Sequence, residues 1–175
     1  RWGDFYSFGL NWNAKKENFL QGVEWLNDLR VRASYGEVGN NAGVSLYAYQ
    51  SLYEINKNGG NAAFISQSLP APNIKWETTQ TVDLGIEGKL FDRLNFSFGY
   101  FDKRSKDLLF EVRLPYSAGS YPHNDSMTNW SIYQNIGTIS NRGFEIALSG
   151  EIIKNKDWNW TVSADATTLK NKVIK

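Results

Sequence analysis

The sequence predicts an all-β fold of antiparallel, up-and-down strands, of the kind that forms a segment of a transmembrane β-barrel. Apolar and polar residues alternate along several segments, and short and long connections alternate between these segments. Aromatic residues make up 15% of the 175 residues, although the mean hydropathy is only −0.48. This combination is typical of strands that have one apolar face and one wet face.

Six segments show the alternation and are interpreted as strands. They cover residues 5–13, 29–36, 81–90, 94–101, 144–152 and 158–166. The third and fourth form a hairpin, and we expect the apolar residues on one of its faces to meet lipid: Val82, Leu84, Ile86, Phe96 and Phe98. The polar residues on the other face are expected to line the interior: Asp83, Glu87, Asn95 and Ser97.

The connections between these strands alternate in length. Phe91, Asp92 and Arg93 form one short turn, residues 154–157 form another, and residues 14–28 make a moderate connection. Residues 37–77 and 114–135 are rich in Gly, Asn, Pro and Ser and are predicted to be long loops. Compact domains use connectors of about 4–6 residues, whereas outer-membrane barrels have short turns at one end and long loops at the other.

A soluble β-sandwich would show the same alternation, but three features favour the barrel. The strand at residues 81–90 would climb roughly 25 Å at a tilt of about 40°, which is the height of a lipid-facing band. Charged residues lie in the middle of several polar faces. Aromatic residues lie near the predicted strand ends, as in an interfacial girdle: Trp12, Tyr35, Trp76, Tyr100, Trp158 and Trp160.

The composition argues against several classes of function. The chain has 19 basic and 18 acidic residues, which leave a net charge of +1 and no basic stripe for a nucleic acid. It has no cysteine, and no segment approaches the ~20 apolar residues of a membrane helix. His123 is the only histidine and follows a proline in a polar stretch, which is more typical of a solvated loop than of a catalytic triad. We therefore expect no enzyme and no cofactor.

Four longer strings carry a family resemblance. They are LRVRASYGEVGN from residue 29, LPAPNIKWETTQTVDLGIEGKLF from residue 69, GYFDKRSKDLLFEVRLP from residue 99 and NIGTISNRGFEIALSG from residue 135. Together, and in this order, they closely resemble the barrel of SusC/RagA-type TonB-dependent outer-membrane transporters. The resemblance extends over essentially the whole chain and is to the C-terminal part of that barrel.

The resemblance implies a partial TonB-dependent receptor β-barrel over residues 1–175, within a plugged barrel of about 22 strands. The plug domain, the TonB-contacting segment and the closing strands are expected to lie outside the chain. It also implies a location in the outer membrane of a Gram-negative bacterium. The implied partners are membrane lipid, a SusD-like surface lipoprotein that acts as a lid, and the TonB complex, which is contacted through the missing N-terminal region.

The function that the resemblance implies is TonB-dependent uptake of nutrients, with oligosaccharide or peptide oligomers as cargo. A soluble carbohydrate-binding β-sandwich and a passive porin-type channel are the alternatives. In the transporter, residues 38–76 and 114–135 would face outward, and aromatic rings there could stack on cargo or contact the lid. The alternative role for these rings is to pack within the loops or to form the outer aromatic girdle. The residues are Tyr47, Tyr49, Tyr53, Tyr116, Tyr121, Trp130 and Tyr133.

Overall fold

A computed structural model describes residues 2–115, 117 and 131–174 of the chain. Its described part contains ten β-strands and two short helical turns. The strands are β1 (Ser7–Asn13), β2 (Leu26–Asn40), β3 (Leu52–Asn58), β4 (Asn61–Ser68), β5 (Glu77–Leu90), β6 (Leu94–Lys106), β7 (Leu109–Arg113), β8 (Ser131–Asn135), β9 (Ile139–Lys154) and β10 (Asn159–Val173). The fold is therefore antiparallel and all-β, as the sequence predicts.

The first of two compact units comprises Arg1–Val38, Thr79–Ser105 and Ile139–Ile174. Its strands form one six-stranded sheet with the order β1-β2-β5-β6-β9-β10. The pairs β1–β2, β6–β9 and β9–β10 are antiparallel, and each neighbour in the order is also the next sheet strand along the chain. This is the up-and-down arrangement, and the sheet is open at β1 and β10.

These six strands are the six that the sequence predicts, but most of them are longer than predicted. β2, β5, β6 and β9 run to 15, 14, 13 and 16 residues. β6 continues from Tyr100 through Asp102 and Arg104, where the apolar alternation has already ended. Tyr35 and Tyr100 consequently lie inside their strands, so the prediction that rings mark the strand ends is wrong at these two positions.

The turn between β5 and β6 has the backbone that a twisted hairpin requires. Phe91 and Asp92 have φ values of 53° and 56°, and the Arg93 amide donates to the Leu90 carbonyl at 3.0 Å. Two consecutive positive φ values are the signature of a type I′ turn, whose twist matches that of the flanking strands. The predicted short turn is therefore confirmed.

The connection between β1 and β2 lies at the same end of the sheet as this turn. It contains a 3₁₀ turn, Ala14–Lys16, and a single helical turn, α1 (Asn18–Gln21). The Lys15 ammonium donates to the carbonyls of Leu20 and Val23 at 2.9 and 2.7 Å, which ties the 3₁₀ turn to α1 and to the residues that follow it. The Phe91 amide then donates to the Trp25 carbonyl at 2.8 Å and ties the two connections together.

The second unit comprises the described residues of Gly39–Thr78 and Lys106–Thr138, and it corrects the prediction of long loops. Residues 37–77 contain the hairpin β3–β4, and β8 at the end of residues 114–135 pairs with β7. Gly59 and Gly60, with φ values of 59° and 86°, form the tight turn of the first hairpin. Each hairpin forms a separate two-stranded sheet.

The large sheet does not bury a core of large side chains. The buried hydrophobic residues of the described chain are Ala14, Leu26 and Ala71, and none of its large side chains is fully buried. Apolar side chains on one sheet face stay exposed, including Phe8 at 71% and Phe98 at 43%. The described helices are all too short and too polar to cross a membrane.

Candidate functional site

One face of the large sheet is polar and carries linked charges. The Arg30 guanidinium pairs with Asp28 at 2.9 Å and approaches Glu87 at 3.9 Å. In the neighbouring layers, the Ser34 hydroxyl donates to Asp83 at 3.5 Å, and the Arg32 side chain fills the space that Gly85 leaves open. These contacts join β2 to β5 on the side that the alternation assigns to the interior.

The polar face continues across β6, β9 and β10. Asn95 lies opposite Ser149, which in turn lies opposite Ser163, and the two serine hydroxyls are 2.9 Å apart. An open cavity of about 490 Å³ lies here and is lined by polar residues that include Glu87, Lys89 and Asp165. Mixed charges and hydroxyls on one wall are suited to contact with water or with polar protein surfaces.

The other face of the same strands is apolar over several layers. Phe96 lies opposite Leu148, and Phe98 lies opposite Ile146. The Phe98 ring stacks on Phe144 with centroids 5.7 Å apart. Phe144, Ile146 and Leu148 are 46%, 42% and 45% exposed, so this surface requires an apolar environment to cover it.

The structure describes four of the seven aromatic residues that the sequence singles out. Tyr47 and Tyr49 lie in one exposed turn, and Tyr53 lies on β3, where it is 64% exposed. Tyr133 lies on β8 and is half-buried. Within the described residues, no ring contact joins any two of these four. Tyr116, Tyr121, Trp130 and also His123 lie outside the described residues.

Tyr133 lines a cavity of about 450 Å³ in the second unit. Its walls are residues 70–75, Asp107 and residues 132–136. The Ala71 amide in this wall donates to the Ala48 carbonyl at 3.0 Å. This backbone bond connects the turn that carries Tyr47 and Tyr49 to the segment that lines the cavity, whereas Tyr133 is the one of the four described rings in the lining itself.

Asn135 holds this cavity together, and the sequence interpretation missed it. Its carboxamide oxygen accepts from the Lys75 amide at 2.7 Å, and its nitrogen donates to the carbonyls of Lys75 and Asp107 at 2.9 and 2.8 Å. The missed hairpin β3–β4 had a sequence signal in its Asn-Gly-Gly-Asn turn. No local signal could have identified Asn135, because its partners are 60 and 28 residues distant.

The side chains on these surfaces are of types that suit the binding of polar molecules. The described residues contain no group of three or more His, Asp or Glu side chains placed to hold a metal ion. The cavities combine rings, amides and isolated charges, which can stack on and hydrogen-bond to polar oligomers.

Comparison with known proteins agrees with this geometry. A family model described as TonB dependent receptor-like, beta-barrel, matches residues 1–174. The TonB-dependent receptor P3 of Formosa agariphila is 34% identical over 98% of the chain, and the TonB-dependent receptor SusC of Bacteroides thetaiotaomicron is 33% identical over all of it. The chain spans 17% of the length of each of these relatives.

Solved structures show the same likeness. The RagAB peptide importer in its open-open state superposes with a TM-score of 0.78 at 29% identity, over 98% of this chain and 18% of the matched chain. Its closed-closed state gives a TM-score of 0.76. With a family model over nearly every residue and relatives above 30% identity, the chain belongs to the TonB-dependent receptor β-barrel family.

Proposed function

We propose that the chain is a section of the wall of an outer-membrane transporter that imports nutrient oligomers with energy delivered through TonB. The observation that carries this proposal is the six-stranded sheet, which has an exposed apolar face, a charged opposite face and a family match over residues 1–174. A sheet with this division meets lipid on one side and a polar interior on the other. The host is a Gram-negative bacterium.

The proposed cargo is an oligomer of sugars or amino acids. The likeness to the RagAB peptide importer supports a peptide, and the rings of Tyr47, Tyr49, Tyr53 and Tyr133 would suit either class, because aromatic faces stack on both. Lys75 and Asp107 in the wall of the second-unit cavity add one charge of each sign. Such a pair can hydrogen-bond to hydroxyls or to peptide groups.

The proposed partners are a SusD-like surface lipoprotein over the outer mouth of the barrel and the TonB complex at the inner side. The SusC/RagA-type resemblance of the sequence supports both partners. The hairpin β3–β4 supports the first, because it exposes Ile55, Phe64 and Tyr53 at 75%, 79% and 64%. Exposed rings and aliphatic side chains on one hairpin are suited to a protein partner.

Uptake by cells that carry the full-length gene tests the proposal. Cells would receive a labelled oligosaccharide or peptide mixture, and uptake would be measured with TonB intact and with TonB deleted. We expect saturable uptake that disappears without TonB. Uptake that continues without TonB would support the porin-type channel instead, and recovery of the full-length protein in the soluble fraction would support the β-sandwich.

Two substitutions at one position test the role of the rings. Tyr53→Ala removes a side chain that is 64% exposed, while Tyr53→Phe keeps the ring and loses only the hydroxyl. If the ring contacts cargo or lid, Tyr53→Ala should weaken uptake several-fold at low cargo concentration, and Tyr53→Phe should behave as wild type. Equal uptake by all three proteins would remove Tyr53 from the proposed contact surface.

A further inference from the structure

The apolar face of the sheet changes character abruptly near one end of β6, β9 and β10. Directly opposed residues in an antiparallel sheet project to the same face. We therefore call each set of three opposed residues on β6, β9 and β10 a layer. Successive layers, moving away from the β5–β6 turn, are Phe98–Ile146–Ala166, Tyr100–Phe144–Thr168, Asp102–Arg142–Lys170 and Arg104–Ser140–Lys172. The rings and aliphatic side chains of the first two layers are therefore followed by two layers that together hold four basic residues and one acidic residue.

A cavity lies where the apolar layers meet the charged layers. Its volume is about 450 Å³, and its lining includes Tyr100, Phe144, Thr168, Arg142 and Lys170. The Tyr100 and Phe144 rings are 5.2 Å apart between centroids and form its apolar side. The guanidinium and ammonium side chains belong to adjacent, directly opposed positions on β9 and β10. The cavity thus has an apolar side, a hydroxyl and a basic side.

The single carboxylate of these layers is already neutralised. Asp102 forms an ion pair with Arg104 at 2.7 Å, with further contacts from the guanidinium at 3.2 Å. Its side chain is only 12% exposed, whereas that of Arg104 is 50% exposed. In the described part of the chain, Arg142, Lys170 and Lys172 have no carboxylate within ion-pair distance, although Arg142 lies directly opposite Asp102 and its charge acts on that carboxylate. Four basic groups stand against one carboxylate in these layers, so the cavity has excess positive charge beside the exposed Phe144 ring and the half-buried Tyr100 ring.

We propose that this cavity binds a phosphorylated lipid headgroup, with the phosphate held by Arg142 and Lys170 and the first acyl carbons against Phe144 and Tyr100. An ordinary aqueous solute has no apolar part to contact the rings, and a neutral lipid has no negative charge to contact the basic side chains. A phosphorylated lipid has both. Guanidinium and ammonium groups bind phosphate through charge-assisted hydrogen bonds. Basic pockets at membrane depth bind anionic headgroups in this way.

The position of the cavity indicates that the bound lipid comes from the outer leaflet. It lies toward the end of the sheet at which the long connections leave β6 and enter β9, which is the extracellular end of the proposed barrel. The inference rests on the proposed function, because only a sheet whose apolar face meets lipid brings a headgroup to these layers. In that setting, the lipid anchors the wall segment at a fixed depth.

Lys103 supplies a matched control. It lies on the same strand between Asp102 and Arg104, opposite Asn141, and is exposed on the polar face. Arg142→Gln/Lys170→Gln removes two charges from the cavity, and Lys103→Gln removes one at the same depth on the other face. A general effect of surface charge would weaken lipid binding in both variants. A specific headgroup site would weaken it only in the Arg142→Gln/Lys170→Gln variant.

The test uses the full-length transporter purified in micelles. A monophosphorylated lipid A, its dephosphorylated form and inorganic phosphate are added separately, and bound lipid is measured by native mass spectrometry together with the melting temperature. We expect the phosphorylated lipid to bind wild type and Lys103→Gln, and to bind Arg142→Gln/Lys170→Gln about tenfold or more weakly. Equal binding by all three proteins would overturn the inference. Equal binding of the dephosphorylated lipid would also overturn it, as would an equal rise in melting temperature with inorganic phosphate alone.

Outer-membrane insertion and TonB-dependent uptake are measured in parallel to separate the two proposals. The double variant should insert and import as wild type does, because its changed residues do not face the interior. Normal insertion and uptake with unchanged lipid binding would overturn the lipid site and leave the transporter proposal standing. Absence of the wild-type protein from the outer membrane would overturn both.

Discussion

Phe98 is the residue at which the two faces of the sheet can be distinguished most directly. Its ring stacks on Phe144 and is 43% exposed, and the neighbouring Ser97 projects to the opposite face. We expect Phe98→Arg to cost about 2–4 kcal/mol of barrel stability, because it places a cation near the middle of the lipid-facing band. The measurement is urea unfolding of the full-length protein in lipid vesicles.

Ser97→Arg is the control for this substitution, because it adds the same cation one residue earlier on the polar face. Its cost should be smaller by at least about 1 kcal/mol, since a wet interior solvates the guanidinium. Equal destabilisation by the two substitutions would contradict the assignment of the apolar face to lipid. A larger cost for Ser97→Arg would reverse the assignment.

Gly143 is required by a close approach between strands. A Cβ atom at this position would overlap the Thr168 carbonyl oxygen and would come within 2.9 Å of the Phe101 ring. We expect Gly143→Ala to destabilise the barrel by roughly 1–3 kcal/mol, because β9 and β10 must separate to admit the methyl group. Heat-modified mobility in gel electrophoresis would report the lost stability as a lower melting temperature.

Gly150 provides the comparison on the same strand. A Cβ atom there would lie 3.6 Å from its nearest neighbour on Leu94, which is ordinary contact. Gly150→Ala should therefore be close to neutral or slightly stabilising, because alanine restricts the unfolded chain. If Gly150→Ala proved as harmful as Gly143→Ala, the steric explanation would be wrong.

The sequence predicts the face of a residue far better than its contacts. The alternation alone puts Phe98 and Ser97 on opposite sides, because a strand has a period of two. It cannot predict that Gly143 must be glycine, since the obstructing carbonyl belongs to Thr168 on the next strand. The same limit applies to Asn135, whose role depends on two distant backbone carbonyls.

At the scale of elements, the sequence predicts the centres of the large-sheet strands but not their ends. The β5–β6 turn is recognisable because apolar alternation stops on both sides of Phe91–Arg93. The N-terminal part of β9, with Asn141 and Arg142, lacks that alternation because both faces of the strand are polar there. Its backbone nevertheless stays in the sheet, held by pairing with β6 and β10. Sheet hydrogen bonds do not depend on side-chain polarity.

The β7–β8 hairpin provides the prediction at this scale. Asn135→Ala would remove three hydrogen bonds that tie β8 to residues 75 and 107. We expect the Lys75 amide to exchange with solvent deuterium about fivefold faster, because its acceptor is lost and such a bond is worth about 1 kcal/mol. Hydrogen exchange followed by mass spectrometry of peptides around residue 75 measures this change.

Gln134→Ala is the control for the hairpin. Gln134 is the adjacent β8 residue and has an exposed side chain, so its removal should leave exchange at Lys75 unchanged. Faster exchange in both variants would mean that β8 is destabilised generally and that Asn135 has no special role. Unchanged exchange in Asn135→Ala would show that the three hydrogen bonds contribute nothing measurable.

At the scale of the whole molecule, the open sheet explains why the chain needs its surroundings. β1 and β10 each leave one edge unpaired within the described sheet, and the apolar face remains exposed. An unpaired edge and an exposed apolar face both promote association with other chains. In a closed barrel, neighbouring strands would pair both edges and lipid would cover the apolar face.

Residues 1–175 expressed alone should therefore fail to form a soluble monomer. We expect the isolated chain to aggregate in buffer and to remain dispersed only in detergent, because no large side chain of its described part is fully buried and water would have to solvate the exposed face. Size-exclusion chromatography with light scattering, in buffer and in micelles, distinguishes these states. A soluble β-sandwich would instead give a monomer of 19.9 kDa in buffer. That result would contradict the lipid-facing wall, since a sheet that is stable in water has already buried its apolar face.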